Sequence, residues 1–329
     1  MKQKFILDLS LILLLLLALL LTGLALAIGL GGPKPAVLPL ASINEPFKGL
    51  DMSDLPPLLI YRAADGAELA YRAYPAQTTE QGSVVLVHGS SASSASMHRM
   101  AKAFQAAGLT TYVPDIRGHG ASGPKGDIDH IGQLEEDMVA LLAAIKPTIP
   151  NGPTTLVGFS AGGGFALRFA AGPNASMFKH YLLLSPFLGA REPTYKQGGG
   201  WAQVGVPRIL ALRLLNTVGI TAWNSLPVIN YALSPDAKAM LTPSYSYSLL
   251  LNFGPPDALS TAIGQLKQPC AILAGADDEL FNVDQFEPLV RAAGATWPVR
   301  IIPQTSHVNL VLNLEAIAAA VDQVRAWNR

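Results

Sequence analysis

The sequence predicts an α/β domain with a mostly parallel central sheet, helices on both faces and an inserted cap, preceded by one membrane-spanning helix. Three observations predict it. From about residue 58 onward, short apolar runs alternate with segments of helical spacing. Of the 329 residues only 14% are charged, against about 25% in an ordinary domain, which fits a sheet buried on both faces. An apolar run near the N-terminus is long enough to cross a bilayer.

The N-terminal segment decides the expected compartment. Lys2 and Lys4 precede a nearly unbroken apolar run from Leu9 to Leu30, which as a helix reaches roughly 33 Å and crosses a hydrocarbon core of about 30 Å. Cleaved signal peptides have shorter apolar regions, yet Ala25-Leu26-Ala27 resembles a cleavage site. Length favours an uncleaved anchor over residues 1–32, and cleavage stays open. The lysines predict a cytoplasmic N-terminus and a catalytic domain on the extracytoplasmic, periplasmic side.

Residues 33–57 hold six prolines and are predicted to form an extended tether rather than a packed element. The folded domain is expected over 58–329. It opens with a hairpin, in which Asp65-Gly66 joins strands at 58–62 and 69–74. Further strands are predicted at 83–87, 110–114, 154–157, 181–184, 271–273 and 299–302, and helices at 96–107, 131–145, 161–171 and 309–327.

One long segment interrupts this alternation. More than eighty residues between Leu184 and Ala271 contain no clear buried strand, and they hold Trp201, Trp223 and several tyrosines. We expect a mainly helical cap over about 189–265. Its position after a strand places it over the carboxyl ends of the sheet, where ligands bind in open α/β sheets.

Composition excludes several classes of partner. The chain has 23 basic and 23 acidic residues and no basic stripe, so no nucleic-acid partner is expected. The single cysteine, Cys270, excludes an internal disulfide and a cysteine-based metal site. No cofactor and no metal site are predicted, and the oligomeric state stays open.

The motif that carries chemistry is Gly158-Phe159-Ser160-Ala161-Gly162, which fits G-x-S-x-G. It follows an apolar strand and opens a helix of small residues, as a nucleophile elbow requires. The flanking glycines fit a turn too tight for side chains. Ser160 is therefore the candidate nucleophile, projecting above the sheet near a helix N-terminus.

A serine hydroxyl needs a neutral imidazole to take its proton, and that imidazole needs an acceptor to fix its tautomer. His307 follows the last predicted strand, and no other histidine lies C-terminal to His180. The strand before it ends in Asp277-Asp278, and either carboxylate satisfies the expected order of serine, acid and histidine. The reaction also needs two oxyanion donors, for which the backbone N–H groups of Ala161 and Ser90 are the candidates.

Five segments together resemble the α/β-hydrolase superfamily, and most closely its lysophospholipase and monoacylglycerol-lipase-like branch, sometimes grouped with the serine aminopeptidases. The resemblance covers residues 58–328. The segments that carry it are His88-Gly89-Ser90, Asp115-Ile116-Arg117-Gly118-His119-Gly120-Ala121-Ser122-Gly123, Gly158-Phe159-Ser160-Ala161-Gly162, Gly275-Ala276-Asp277-Asp278 and the loop of His307.

The resemblance implies a role for each matching position. The nucleophile is Ser160 and the base is His307. The acid is Asp278, because it stands three residues after the strand-end glycine, and the oxyanion donors are Ser90 and Ala161. Asp115 and His119 are implied to organise their loop. The chain departs from the family pattern at Phe159, Ala161 and Ser306, which leaves the substrate open.

The leading functional hypothesis is hydrolysis of a carboxylic ester through an acyl-enzyme. The apolar cap and the anchor favour lipid-like esters such as lysophospholipids or monoacylglycerols. Amide or peptide hydrolysis and acyl transfer use the same triad and stay open. A non-catalytic, membrane-tethered binding protein is the alternative from another class, because a fold alone does not prove function.

Overall fold

The computed structural model describes residues 2–35, 39–148, 152–198 and 200–328. The strands are β1 Leu59–Arg62, β2 Glu68–Tyr74, β3 Gly82–Val87, β4 Leu109–Pro114, β5 Thr154–Phe159, β6 His180–Leu184, β7 Ala202–Val204, β8 Pro227–Tyr231, β9 Ser244–Ser246, β10 Cys270–Gly275 and β11 Val299–Ile302. The helices are α1 Lys2–Leu30, α2 Ala41–Asn44, α3 His98–Ala106, α4 Gln133–Ile145, α5 Ala161–Ala170, α6 Val206–Thr217, α7 Pro235–Met240, α8 Tyr247–Asn252, α9 Leu259–Gln265, α10 Phe286–Ala292 and α11 Leu314–Trp327.

The main sheet has eight strands in the order β1-β2-β4-β3-β5-β6-β10-β11. Strand β2 runs antiparallel to both β1 and β4. The remaining neighbours in this sheet, β4-β3-β5-β6-β10-β11, pair in parallel. The hairpin predicted around Asp65-Gly66 is present, with Arg62 opposite Glu68. The predicted mostly parallel sheet is confirmed.

Alternate residues of the central strands belong to two separate cores. Val85 and Val87 of β3 pack with helices α4, α5, α9 and α10, whereas Val84 and Leu86 pack with α3 and α11. The period of two along a strand sends successive side chains to opposite faces. Both faces are therefore covered, which explains why these strands are apolar throughout.

The parallel strands end at one edge of the sheet, and that edge positions the site. Strand β3 ends at Val87, β5 at Phe159, β10 at Gly275 and β11 at Ile302. The loops that leave these four ends carry the residues predicted to react. Because the four strands are parallel, side chains far apart in sequence meet above a single edge.

The insertion between β6 and β10 holds helices α6 to α9 and also a small antiparallel sheet, β7-β8-β9. The mainly helical character predicted for the cap agrees with the structure, but its three strands were not predicted. Strands β7 and β9 have three residues each and β8 has five. Strands this short do not give a readable alternation of polar and apolar residues.

The structure corrects the expectation of an unpacked tether over residues 33–57. Residues 36–38 lie outside the described part, but Ile43, Phe47 and Leu50 pack against the cores of the domain. The amide of Asn44 donates to the carbonyl of Ala232 at 3.1 Å, and Asp54 contacts His98 at 3.0 Å. Ile43, Phe47 and Leu50 are spaced four and three residues apart, and their side chains lie on the side of the segment that contacts the domain.

Helix α1 contains a stretch, Leu9–Leu30, that is long and apolar enough to cross a membrane. A signal sequence near an N-terminus can also be this apolar. Its C-terminal end lies against the cap, where Arg208 of α6 donates to the carbonyls of Ile28 at 2.7 Å and Gly29 at 3.2 Å. Arg208 thereby satisfies carbonyls that a helix end leaves without intrahelical partners.

Candidate active site

Ser160 occupies a sharp turn between strand β5 and helix α5. Its backbone has φ 56° and ψ −117°, a conformation that residues other than glycine rarely adopt. Four backbone hydrogen bonds hold it there. The Ser160 N–H donates to the carbonyl of Leu184, and the Ser160 carbonyl accepts from the N–H groups of Gly163, Gly164 and Phe187, at 2.9 to 3.1 Å. Strain of this kind persists only where the surroundings impose it, and it concentrates at functional sites.

The glycines that flank Ser160 are required by close backbone approach. A Cβ on Gly158 would lie 2.1 Å from the carbonyl oxygen of Gly162, and a Cβ on Gly162 would lie 2.4 Å from that of His88. Both contacts are with backbone, which cannot rotate away as a side chain does. The motif therefore reflects the packing of α5 onto the edge of the sheet.

The first prediction concerns this packing. Gly162→Ala should lower the free energy of unfolding by about 2–3 kcal/mol, or the melting temperature by roughly 5–10 °C, because its methyl group overpacks against the main chain. Gly172→Ala is the matched control, since its Cβ would come no closer than 3.3 Å to other atoms. Thermal unfolding of both variants tests this. Equal melting temperatures would contradict it.

His307 joins Ser160 to Asp278. Its Nε2 lies 3.0 Å from the Oγ of Ser160, and its Nδ1 lies 2.8 Å from Oδ2 of Asp278. The three residues are 2%, 7% and 1% exposed for His307, Ser160 and Asp278 respectively. The structure thus brings together the three side chains that the sequence singled out, in the order needed for proton transfer.

Asp278 is held as a carboxylate. Burial alone would raise its pKa, but the charge and hydrogen bond of His307, together with hydrogen bonds from Ser185 and Leu280, outweigh this effect, so the pKa of Asp278 lies below its ordinary value. Its other oxygen accepts the backbone N–H groups of Leu280 and Phe281 at 2.9 and 3.0 Å. An ionised Asp278 accepts a hydrogen bond from the Nδ1–H of His307, which leaves Nε2 unprotonated and able to accept a hydrogen bond from the serine hydroxyl.

The structure distinguishes the two adjacent aspartates. The side chain of Asp277 is exposed, and its backbone N–H donates to Thr305 at 3.0 Å. A Cβ on Gly275 would lie 2.1 Å from the Thr305 carbonyl oxygen, so this glycine lets the loop before His307 approach β10. That approach turns Asp278, and not Asp277, toward the imidazole.

Sequence reasoning missed several neighbours of His307. Glu279 accepts its backbone N–H at 2.9 Å. The rings of Phe159 and Phe281 lie 4.8 and 5.1 Å from the imidazole. Phe159, where the chain departs from the family pattern, packs its ring against one side of the imidazole. No local pattern marks Phe281 or Glu279, because their contacts depend on tertiary folding.

The predicted oxyanion donors lie beside the serine. A Cβ on Gly89 would be 3.2 Å from the Cβ of Ser160, so the loop after β3 runs directly against Ser160. Within the described residues, the N–H groups of Ser90 and Ala161 have no hydrogen-bond partner. Two unpaired N–H donors beside a serine hydroxyl can stabilise an oxyanion that develops there, and their role stays a prediction.

The loop after β4 is organised by its own polar residues. Asp115 accepts the backbone N–H groups of Ser94 at 2.7 Å and Ala121 at 2.9 Å. Arg117 pairs with Asp137 of α4 at 2.7 Å. These contacts agree with a structural role for the segment. Among the described residues, no group of three potential metal ligands comes together.

Comparison with known proteins identifies the family. Residues 78–311 match the family described as "Serine aminopeptidase, S33". A monoacylglycerol lipase of Mycolicibacterium smegmatis is 32% identical over 112 residues, which are 34% of this chain and 40% of that protein. A monoglyceride lipase homologue of Monkeypox virus is 25% identical over 259 residues, which are 74% of this chain and 88% of that protein.

Solved structures show the same fold. A soluble variant of the Saccharomyces cerevisiae monoglyceride lipase, in complex with a substrate analogue, aligns with TM-score 0.65 and 19% identity over 85% of this chain and 97% of that one. A monoacylglycerol lipase of Paleococcus ferrophilus aligns with TM-score 0.57 and 18% identity over 79% and 98%. The chain belongs to the serine aminopeptidase S33 family and has the α/β-hydrolase fold.

Proposed function

We propose that this protein hydrolyses carboxylic esters, preferably lipid-like esters, through a covalent acyl-enzyme. One observation carries the proposal. The hydroxyl of Ser160, the imidazole of His307 and the carboxylate of Asp278 form a buried chain with contacts of 3.0 and 2.8 Å, built on a strained turn. A buried chain with this order of groups is the arrangement that activates a serine nucleophile.

The proposed reaction has two halves. In the first half, Oγ of Ser160 attacks the ester carbonyl carbon while Nε2 of His307 takes the hydroxyl proton. The tetrahedral oxyanion lies between the N–H groups of Ser90 and Ala161. On collapse, His307 returns the proton to the departing alkoxide, which leaves as an alcohol. In the second half, water attacks the acyl-enzyme with the same base, and the carboxylic acid leaves.

The surface of the cap supports a lipid-like substrate. Val206, Leu210 and Leu214 are spaced four residues apart along α6 and are exposed, so they form one apolar face. Arg208 on the same helix holds the end of α1. If α1 crosses a bilayer, this apolar face lies at the bilayer surface, where lipid esters reside. Since Lys2 and Lys4 precede the apolar run, we propose a cytoplasmic N-terminus and a catalytic domain on the extracytoplasmic face, anchored by α1.

Amide or peptide hydrolysis is the second candidate, favoured by the description of the matched family, "Serine aminopeptidase, S33". Ester and amide hydrolysis share the nucleophile, the base and the oxyanion donors, so the geometry of the triad does not separate them. The leaving group does, because an amine must be protonated to depart whereas an activated alkoxide departs more easily.

The experiment that tests the proposal compares matched substrates. The full chain in detergent micelles is assayed with p-nitrophenyl esters of increasing acyl length, with monoacylglycerols and with aminoacyl p-nitroanilides. We expect ester hydrolysis with a preference for longer acyl chains. Faster cleavage of the anilides than of the esters would show that the protein is an amidase or peptidase instead. If folded wild type neither reacts with a fluorophosphonate probe nor hydrolyses any substrate, the chain is a binding protein instead.

The second prediction concerns the anchor. Removal of residues 1–30 should give a protein that is soluble without detergent and cleaves short-chain soluble esters within about threefold of the full chain, because the triad does not involve α1. Hydrolysis of a monoacylglycerol embedded in vesicles should fall by about tenfold or more, since tethering raises the effective concentration at the membrane.

The full chain reconstituted in the same vesicles is the control for the truncated protein. An insoluble or inactive truncated product would show that the leader belongs to the fold. The mass of the mature protein then shows whether residues 1–32 are an uncleaved anchor or contain a cleaved signal peptide. The mass of the full chain indicates an anchor, and the mass of a chain that begins after Ala27 indicates a cleaved signal.

A further inference from the structure

The loop that carries the proposed oxyanion donor Ser90 has a strained neighbour. Ser91 has φ 67° and is buried, with 1% exposure. A residue other than glycine with such a φ is unfavourable unless its surroundings impose the conformation. The sequence of the loop does not explain it, so the constraint must come from another part of the chain.

The constraint comes from the cap. The backbone N–H of Thr242 donates to the carbonyl of Ser91 at 2.9 Å, and the hydroxyl of Ser91 donates to the carbonyl of Thr242 at 2.5 Å. The backbone N–H of Ser91 donates to the hydroxyl of Tyr245 at 2.5 Å. Tyr245 lies in strand β9 and Thr242 two residues before that strand, so both partners of Ser91 are about 150 residues further along the chain. Every hydrogen-bonding group of Ser91 is therefore held by the cap.

The proton positions around Tyr245 follow from the network. Nδ1 of His119 lies 3.2 and 3.3 Å from the carbonyl oxygens of Ile116 and Arg117, so Nδ1 carries the proton and Nε2 is an acceptor. The hydroxyl of Tyr245 lies 2.5 Å from that Nε2 and donates to it. The oxygen of Tyr245 then has its lone pairs available for the N–H of Ser91.

The electrostatics agree with this assignment. Burial lowers the pKa of His119 well below its ordinary value, and the neighbouring His88 lowers it further. Burial likewise raises the pKa of the Tyr245 hydroxyl. Both groups are neutral over the physiological range, so the direction of donation from Ser91 through Tyr245 to His119 is fixed.

We propose that Tyr245 is a positioning residue, through which the cap sets the conformation of the loop after β3 that carries Ser90 and Ser91, here called the oxyanion loop. Its hydroxyl holds the N–H of Ser91 and so fixes the peptide that follows Ser90. The ring of Tyr231, also in the cap, packs 4.8 Å from the ring of Tyr245 and supports it. This inference rests on the proposed function, because it concerns the donor that Ser90 supplies to the oxyanion.

The effect should fall on the transition state. Without the Tyr245 hydroxyl, the N–H of Ser91 and Nε2 of His119 are both buried without partners, a penalty of about 1–3 kcal/mol for each group. The loop relieves that penalty by rotating Ser91 out of its left-handed conformation, which moves Ser90 away from the nucleophile. The oxyanion exists only during reaction, so substrate binding is little affected.

The test compares Tyr245→Phe with Tyr247→Phe in the full chain. Tyr247 is a buried tyrosine of the same cap segment, and it makes no hydrogen bond to the oxyanion loop. For Tyr245→Phe we expect kcat on a soluble ester to fall by about 10- to 100-fold with KM within about twofold, because complete loss of one oxyanion donor costs about 10² to 10³. Tyr247→Phe should keep both values within about twofold.

An inhibitor that mimics the tetrahedral adduct separates positioning from general loss of structure. An alkyl trifluoromethyl ketone forms a hemiketal with Ser160 and places an oxyanion between the two donors. Its Ki should rise in Tyr245→Phe by the same factor as kcat falls, while melting temperatures confirm folding. If Tyr245→Phe does not fold, Ser91→Gly/Tyr245→Phe is compared with Ser91→Gly, since glycine accepts the left-handed conformation freely.

The outcomes are distinct. A kcat within twofold of wild type in folded Tyr245→Phe, or a lower kcat with an unchanged Ki of the ketone, overturns the positioning role. An inactive wild type overturns the proposed function and this inference with it. Parallel changes in kcat and in the Ki of the ketone, confined to position 245, support the inference.

Discussion

Ser160→Ala is expected to lower kcat on p-nitrophenyl esters by about 10⁴- to 10⁶-fold without unfolding the protein, because the hydroxyl that forms the acyl-enzyme is gone. His307→Ala should have an effect of similar size, since the hydroxyl 3.0 Å from its Nε2 then has no base. The double variant should be no worse than either single variant, because the two groups act as one unit.

The controls make this result specific. His130→Ala removes an exposed histidine that pairs with Glu136 on the surface, and its kcat should stay within about twofold of wild type. Fluorophosphonate labelling should be lost in Ser160→Ala. It should also be much slower in His307→Ala, since an unactivated hydroxyl reacts poorly with the probe. A His307→Ala enzyme with near wild-type activity would show that another group is the base.

The fold could be predicted from sequence where local pattern and tertiary environment agree. The strand predicted at 299–302 has those same bounds, and the other strands of the main sheet differ by one or two residues at one or both ends. The side chains of the central strands β3, β4, β5 and β10 are buried on both faces, so these strands appear in the sequence as short, mainly apolar runs. The meeting of Ser160, Asp278 and His307 followed from topology, because parallel strands deliver their carboxyl ends to one edge.

What could not be predicted depends on contacts between distant segments. In the sequence, Tyr245 is one of several aromatic residues of the cap. Nothing near it in sequence indicates that its hydroxyl forms hydrogen bonds with Ser91 and His119. Glu279 and Phe281 look like ordinary loop residues beside the motif. Residues 33–57 look like a linker by proline content, and their docking depends on a complementary surface that only the folded domain provides.

Asp278→Asn should lower kcat by about 10⁴-fold, whereas Asp277→Asn should leave it within about twofold. The amide has the size of the carboxylate, and its oxygen can still accept the N–H groups of Leu280 and Phe281. Its NH₂ group then faces Nδ1 of His307 as a donor. The imidazole is driven to carry its proton on Nε2, where it cannot accept from Ser160.

A dependence on pH distinguishes this account from a simple loss of packing. The pKa of Asp278 lies below its ordinary value of 3.8, so its ionised form contributes stability above the unfolded-state value and loses it as pH falls through the folded-state value. The difference in unfolding free energy between wild type and Asp278→Asn should therefore narrow below about pH 4. Chemical denaturation between pH 3 and pH 7 measures it. The exposed side chain of Asp277 argues against a catalytic role for it. A larger fall in kcat for Asp277→Asn than for Asp278→Asn would nevertheless move the acid to position 277. A stability difference that does not change with pH would contradict the ionised state assigned to Asp278.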